Sequence, residues 1–343
     1  MNISDLARDL KLSTATISRT LNRPEAVAPR TRERVLKAVQ RFGYQPNGIA
    51  RSLRTQHTKT IGMIVSDIRN PFFSAMVKAV EDTARVNDFT VLVCNADEDG
   101  RNEEAALRLF IERHVSGVIH CSAGANPDLI RVLQTRSTPI IDLDRQSGLQ
   151  NVDTVILNNE LGAALATEHL INLGHRRLAM IAGPVHLSNG RTRLEGFGKA
   201  LRKARLAIPK TYVQMGDFRE DSGRRAAEKL LSLPNRPTGL VVANNEMMAG
   251  ALAVIRERRI KIPAELSVVS FDDARWAQFL EPPLTVVAQP TEAMGRCAAE
   301  LLLSRLQKKN SKKFETRIFE PELIIRASTA SPTGRQARHP SSI

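Results

Sequence analysis

Cysteine is nearly absent from this chain. Cys94, Cys121 and Cys297 are three among 343 residues, odd in number and without a CxxC pair, so neither a disulfide framework nor a thiolate zinc site follows. That usage implies a reduced, cytoplasmic setting. Long apolar runs are missing too: the longest span about six residues, where a membrane helix needs about 20. Met1–Leu10 carries Asp5 and Asp9 where a secretory signal would be apolar. The catalytic signatures GxSxG, GxxxxGK[ST] and GxGxxG do not occur, and the seven histidines lack metal-ligand spacing. His-Cys-Ser at 120–122 and Gly-His-Arg at 174–176 leave an enzyme as an alternative, but they read better as core or surface histidines. No catalytic residue, metal or cofactor is implied.

One absence is local. In the stretch KLSTATISRTLNR, Lys11–Arg23, no carboxylate occurs. Ile17 and Leu21, four apart, can face a core. Ala15, Ser18, Arg19 and Asn22 fall on the opposite helix face. What the chain has in excess is positive charge, +14 in all. Residues 1–57 hold eleven Lys and Arg against four Asp and Glu, a net of +7, so half the excess lies in a sixth of the chain. A basic terminal module on a near-balanced body points to a polyanion partner.

The first 45 residues predict three short helices. Ile3, Leu6, Ala7 and Leu10 form one stripe, Ser13 caps the helix from Thr14, and Pro29 opens a third that shows Val35, Ala38, Val39 and Phe42 and stops at Gly43. Two helices joined by a tight turn, the second with a bare polar face, make a helix-turn-helix. The carboxylate-free face then suits the phosphates lining a DNA major groove. Asn47 could cap a further helix through Arg54, but barely two turns are not stable alone and would order only against a partner.

From Thr60 the pattern alternates strand and helix. Apolar runs at 60–65, 90–94, 117–120, 139–143, 154–157, 178–182, 239–243, 266–271 and 285–287, with helical segments between most of them, predict two doubly wound parallel sheets. The last strand-like run is 322–326, and the polar remainder is expected to be disordered. In open parallel sheets ligands bind at the carboxyl ends of strands. There stand Asp67 and Asn70, Asp144 and Arg145, Asn244, and Asp272, with Phe72 and Phe73 following Asn70 in a chain that is 4% aromatic. Carboxylates, amides and an Arg beside phenyl faces suit a sugar, whose hydroxyls want bidentate partners and whose ring face stacks.

The ordered motifs ISDLA, STATISRTLN, TRERV, FGYQPN, ARSLR, NPFF, LDR, NLGHRR, RLEGF, FDD and EPPLTVV span nearly the whole chain. On them the sequence resembles the LacI/GalR family of bacterial transcription regulators, with a core similar to ribose-type periplasmic binding proteins. The resemblance implies a helix-turn-helix domain at 1–45, a hinge helix and linker at 46–58 and a sugar-binding core at 59–327. Within the core it implies an N-subdomain of about 59–157 and 290–316 and a C-subdomain of about 158–287 and 317–327, followed by a disordered tail at 328–343. It also implies that Thr14, Ala15 and Arg19 read base edges and that Ser13, Thr16, Ser18 and Asn22 hold phosphate or the site's edge. Tyr44, Asn47 and Leu53 would sit at the operator centre, with Leu53 wedged into the minor groove. Ligand positions carried over are Asn70, Phe72, Phe73, Asp144, Arg145, Arg193, Phe218, Asn244, Phe271, Asp272 and Gln289.

Ala28 departs from the family's capping Ser or Thr, and Asn158 and Asn245 replace common acidic residues. Without leucine heptads in the tail a homodimer is the default. The expected protein is a cytoplasmic, nucleoid-associated repressor of a palindromic operator, with no membrane partner, induced by a neutral monosaccharide such as a pentose. The alternatives are a corepressor-dependent regulator that binds a nucleobase, nucleoside or sugar phosphate and, outside that class, a sugar-binding protein or enzyme without DNA function.

Overall fold

A computed structural model describes residues 3–22, 24–43, 58–124, 126–307 and 313–332. The chain forms two compact units, Met1–Thr58 and Lys59–Ile343. Tyr44, Asn47 and Leu53 lie outside the described residues.

In the first unit α1 (Ile3–Leu10), α2 (Thr14–Asn22) and α3 (Pro29–Arg41) enclose a small core. Leu6, Ile17 and Val35 are fully buried at its centre, flanked by Ile3, Leu10, Leu12, Leu21, Val39 and Phe42. This is the apolar set the periodicity predicts. The Ser13 hydroxyl accepts the Thr16 N–H at 3.0 Å and so caps α2. Thr20, buried on the inner face, donates its hydroxyl to the Thr16 carbonyl at 2.8 Å, so no polar atom there goes unmatched. Ala28 gives α3 no side-chain cap, and Pro29, which has no N–H to satisfy, occupies the first turn.

The second unit holds two six-stranded sheets. The first runs β11 (Thr316–Phe319), β5 (Asp153–Leu157), β4 (Ile140–Leu143), β3 (Gly117–His120), β1 (Thr60–Val65), β2 (Thr90–Asn95), all parallel. Its helices are α4 (Pro71–Val86), α5 (Gly100–Glu112), α6 (Pro127–Thr135) and α11 (Thr291–Gln307). The second runs β12 (Glu322–Ile324), β10 (Thr285–Ala288), β9 (Ser267–Phe271), β8 (Gly239–Val242), β6 (Leu178–Ala182), β7 (Val213–Met215), with only β12 antiparallel. It carries α7 (Asn159–Asn172), α8 (Ser188–Lys203), α9 (Glu220–Leu231) and α10 (Asn245–Glu257). Central strands such as β3, β6 and β9 are buried throughout, as expected of strands covered by helices on both faces. Gly250 and Gly223 let α10 and α9 meet backbone to backbone; a Cβ at either would strike the other helix.

The chain passes between the sheets after β5, after β10 and after β11, so both lobes are built from separate stretches. Two expected boundaries change. Strand β11 belongs to the first sheet, so the N-lobe's second stretch runs through Phe319 rather than ending at 316, and the C-lobe resumes at β12 rather than at 317. Residues 328–332, assigned to a disordered tail, are tied down at their start. Ser328 is fully buried, donates its hydroxyl to the Val268 carbonyl at 2.7 Å and accepts the Thr285 N–H at 2.8 Å. The buried His175 ring meets the Ala330 carbonyl at 2.9 Å and the Ser267 hydroxyl at 3.0 Å. Pairing by side chains far back in the chain replaces the apolar pattern that would have marked this segment.

Candidate functional site

The DNA-facing candidate is the outer surface of α2. Thr14, Ala15 and Arg19 are exposed, Ser18 and Thr16 are half-buried, and no carboxylate lies on the helix. Ser13 and Thr16 also share a hydroxyl–hydroxyl bond of 2.8 Å, so both are held in place by the cap. Asn22 ends the helix; its side chain is outside the described ones. Arg19 has no ion-pair partner among the described residues, whereas Lys37 on α3 is paired with Glu33 at 2.8 Å.

The second candidate is a cleft at the carboxyl ends of both sheets. A narrow cleft with a cavity volume of about 20 Å³, partly open to solvent, lies between the lobes. The first sheet contributes Asp67, Asn70, Phe72 and Phe73 after β1, Glu98 after β2, and Asp144 and Arg145 after β4. The second contributes Asn189 and Arg193 from α8, Phe218 and Arg219 after β7, Asn244 and Glu246 around the start of α10, Asp272 after β9 and Gln289 after β10. Ten of the eleven sequence-predicted ligand positions line this space. The exception is Phe271, fully buried as the last residue of β9, whose ring lies 4.2 Å beneath the Arg193 guanidinium. It supports a cleft residue rather than facing a ligand.

The backbone is set to aim these groups. Asp144, Phe218 and Asp272, none of them glycine, adopt φ of 67°, 67° and 70°. Such left-handed geometry costs about 1–3 kcal/mol for a side chain the size of phenylalanine and clusters at functional sites. Other residues are committed to the scaffold. The Asn244 side chain caps α10 by accepting the Met247 N–H at 3.0 Å and donates to the Phe218 carbonyl at 2.9 Å. Asn70 caps α4 through the Phe72 N–H at 2.9 Å and exchanges two 3.0 Å bonds with Asn245 across the cleft. Asn189 to Asp144, at 3.0 Å, and the Gln146 N–H to Ser188, at 2.9 Å, also bridge the lobes, as does Arg219 to the Asp97 carbonyl.

Arg145 and Arg193 are held by protein partners. Glu98 grips Arg145 with both oxygens, at 2.6 and 2.7 Å. The Arg145 plane lies 5.3 Å from the Phe218 ring centre and 6.0 Å from that of Phe73. Arg193 donates to Asn159 at 2.7 Å and to the Ala243 carbonyl, and burial holds its pKa below the usual guanidinium value. Of the five buried side-chain atoms without a hydrogen-bond partner among the described residues, three belong to cleft residues: Asp144 Oδ1, Gln289 Oε1 and Arg145 Nε, the last 3.4 Å from Asp144 Oδ2. Two acceptors and one donor on cleft-lining residues therefore have unused capacity. Burial, partly countered by Arg145 and Arg193, raises the Asp144 carboxyl to about 6, and burial raises Asp272 as well.

Beneath the N-lobe wall, His120 is enclosed between Asp142 and Glu103, each at 3.4 Å. Burial alone would lower its pKa, but the two carboxylates outweigh it and raise the imidazole to about 9, so it is a cation at neutral pH. Glu103 also accepts the Ala123 N–H and the Asn126 amide, and Asp142 accepts the Ser147 N–H and hydroxyl, both at 2.7 Å. The cluster anchors the loops that carry Ser122 and Arg145. No group of His, Cys, Asp and Glu suited to a metal ion occurs among the described residues, and no described helix is long and apolar enough to cross a membrane.

Glu98, Asn189, Arg219 and Glu246 are cleft residues that the sequence reading omits. Asn189 and Arg219 could have been found, because each lies within four residues of a predicted position. Glu98 could not, since it is one of several acids in NADEDG and only the fold turns it inward.

Both units match known protein families. Residues 2–47 match the bacterial regulatory proteins of the lacI family, and residues 167–329 match a periplasmic binding protein-like domain. An HTH-type transcriptional repressor PurR from Aliivibrio salmonicida is 33% identical over 329 residues, 95% of this chain and 98% of that protein. A LacI-family regulator from Enterococcus faecium with bound ribose is 30% identical at a TM-score of 0.71, covering 79% of this chain and 99% of that one. The lac repressor dimer bound to operator and the anti-inducer ONPF is 28% identical at a TM-score of 0.83, covering 96% and 99%. A basic three-helix unit with a carboxylate-free second helix, joined to a two-lobed polar cleft, belongs to the lacI family of bacterial regulatory proteins, and the chain is a DNA-binding transcriptional repressor, not an enzyme.

Proposed function

We propose that this repressor binds a palindromic operator as a homodimer and is released from it by a neutral monosaccharide, with a pentose such as ribose as the first candidate. The observation that carries the effector class is the charge in the cleft. Five acids, Asp67, Glu98, Asp144, Glu246 and Asp272, stand against three arginines; with Asp67 paired to Arg69 and Glu98 to Arg145, three acids remain against Arg193 and Arg219. A net negative lining repels phosphate esters. The unmatched acceptors Asp144 Oδ1 and Gln289 Oε1 want O–H donors, and phenyl faces stand beside them. The ribose-bound relative supports the same class.

Coupling follows from the same cleft. Effector bound between the lobes favours one spacing of them, and residues 46–58 would transmit that spacing to the operator, with Tyr44, Asn47 and Leu53 placed at its centre. A coupling of about 1–3 kcal/mol changes operator affinity roughly 5- to 150-fold. A thermal-shift screen of neutral sugars, sugar phosphates and nucleobases tests the effector. Ligand at 100 times its dissociation constant should stabilise the core by about 2.7 kcal/mol. Operator release by the same sugar tests the sign; tighter operator binding would make it a corepressor. Screening in which only phosphate esters or nucleobases stabilise the protein would end this reading. A repressor of this kind acts in the cytoplasm.

Effector binding should also depend on pH. A hydroxyl donated to Asp144 Oδ1 favours the carboxylate, whose free-state pKa is about 6. Affinity is therefore expected to fall severalfold as pH drops from 7.5 to 5, and Asp144→Asn should flatten the profile. The contribution of Asp144 to the stability of the unliganded core runs the other way. A carboxyl whose folded pKa is raised costs stability above that pKa, and the cost is relieved as pH falls through about 6. Calorimetric titration at the two pH values separates the trends.

A further inference from the structure

We propose that Glu98 is the residue that keeps anionic ligands out of the cleft, making the repressor answer to a neutral sugar and not to its phosphate ester. The inference rests on the sugar-binding reading of the cleft.

Arg145 is the cleft guanidinium whose two terminal nitrogens are both held by a carboxylate. It is 2% exposed and held between phenyl rings, and a planar fork of N–H donors matches phosphate two bonds at a time. Glu98 takes that fork, both terminal nitrogens being bound at 2.6 and 2.7 Å, and leaves only Nε unmatched. One N–H donor suffices for a hydroxyl oxygen but gives a phosphate only one of the two parallel bonds that the fork would supply. Arg193 is partly committed, its Nε donating to Asn159 and one terminal nitrogen to the Ala243 carbonyl.

The position of Glu98 is imposed by its loop. Asp97 and Glu98 both adopt left-handed backbone, with φ of 52° and 51°, and the Glu98 N–H is tied to the Ser66 carbonyl at 2.9 Å. Asp99 then caps α5 through the Arg101 N–H at 2.8 Å. From the other lobe Arg219 donates to the Asp97 carbonyl. The loop is fixed on three sides, and it directs this carboxylate into the cleft while Asp97 and Asp99 bind elsewhere.

Glu98→Gln keeps the shape, still offers Arg145 one acceptor, removes one negative charge and frees part of the fork. Binding of D-ribose, ribose 5-phosphate and inorganic phosphate to wild type and variant is read by calorimetry on the full chain, with a melting curve showing that the variant is folded. Wild type should take ribose and neither anion. E98Q should gain at least tenfold in affinity for ribose 5-phosphate and phosphate, and the gain should vanish in E98Q combined with Arg145→Gln. Wild type that binds the phosphate ester as well as the sugar overturns the proposal, and so does a folded E98Q that still rejects both anions; ribose binding in either case leaves the sugar cleft standing. Conversely, phosphate gained by E98Q in a protein that ignores every neutral sugar upholds Glu98's role and removes the sugar reading.

Discussion

Arg19→Ala is expected to erase the preference for the operator while leaving salt-dependent affinity for DNA at large. Arg19 is exposed on the face of α2 that bears no carboxylate and has no ion-pair partner among the described residues. A guanidinium that meets a guanine edge with two bonds contributes about 1–3 kcal/mol of discrimination, roughly 5- to 150-fold per half-site. Affinity for unrelated duplex comes instead from phosphate neutralisation, which is spread over the basic unit and screened by salt. Lys37→Ala supplies the contrast. Lys37 is exposed and held by Glu33 at 2.8 Å, so its loss should lower affinity for all sequences slightly and leave the ratio of operator to random DNA unchanged. Both are read by titrating labelled duplexes over a range of salt. An Arg19→Ala protein that still picks its operator as wild type does would remove α2 as the recognition helix.

That the face of α2 is legible in the sequence, while Glu98 is not, has a physical basis. A helix repeats every 3.6 residues, so Ile17 and Leu21 announce the buried side and Ala15, Ser18 and Arg19 the other without reference to the rest of the chain. Covered parallel strands announce themselves as apolar runs, and the ligand end of such a sheet is fixed by its topology. Asp144 and Asp272 are therefore legible from the ends of the ProIleIleAspLeu and SerPhe runs. The strands missed are those that bury little. Arg317 in β11 is exposed and only Phe319 of that strand is partly covered, while β7 has three residues. Their hydrogen bonds to a neighbour define them, and a sequence does not display its neighbours. The same holds for Ser328 and Ala330, held by His175, Ser267 and Thr285 from far back in the chain. Glu98 depends on two consecutive left-handed residues, a choice that no alternation of polar and apolar side chains encodes. The family resemblance carries Phe271 into the ligand set together with its neighbour Asp272. In a strand successive side chains point to opposite faces, and Phe271 points down, under Arg193.

Asp272→Ala is expected to abolish the effector response and leave operator binding close to wild type. Asp272 is 6% exposed at the end of β9, where its Oδ1 accepts the Gln289 amide at 2.6 Å and its Oδ2 the Asn245 N–H at 3.3 Å. It thus orients Gln289, whose Oε1 already lacks a partner, and the backbone that carries Asn245. Truncation removes a charged acceptor from the cleft and leaves the Gln289 amide unmatched at both ends. Hydrogen bonds to a charged group contribute about 1.5–3 kcal/mol each, so one lost effector hydroxyl costs roughly tenfold to more than a hundredfold in affinity. Alanine is also strained at a φ of 70°, which aspartate and asparagine tolerate better, so the core should lose some thermal stability as well. Asp272→Asn separates the causes. It keeps the shape, the backbone preference and one acceptor for Gln289, so its melting temperature should stay near wild type while effector affinity still falls. Calorimetry with the effector, operator titration with and without it, and melting curves on both variants give the three readings. If either variant releases operator at wild-type effector concentrations, Asp272 does not hold the ligand and the cleft as drawn is not the effector site.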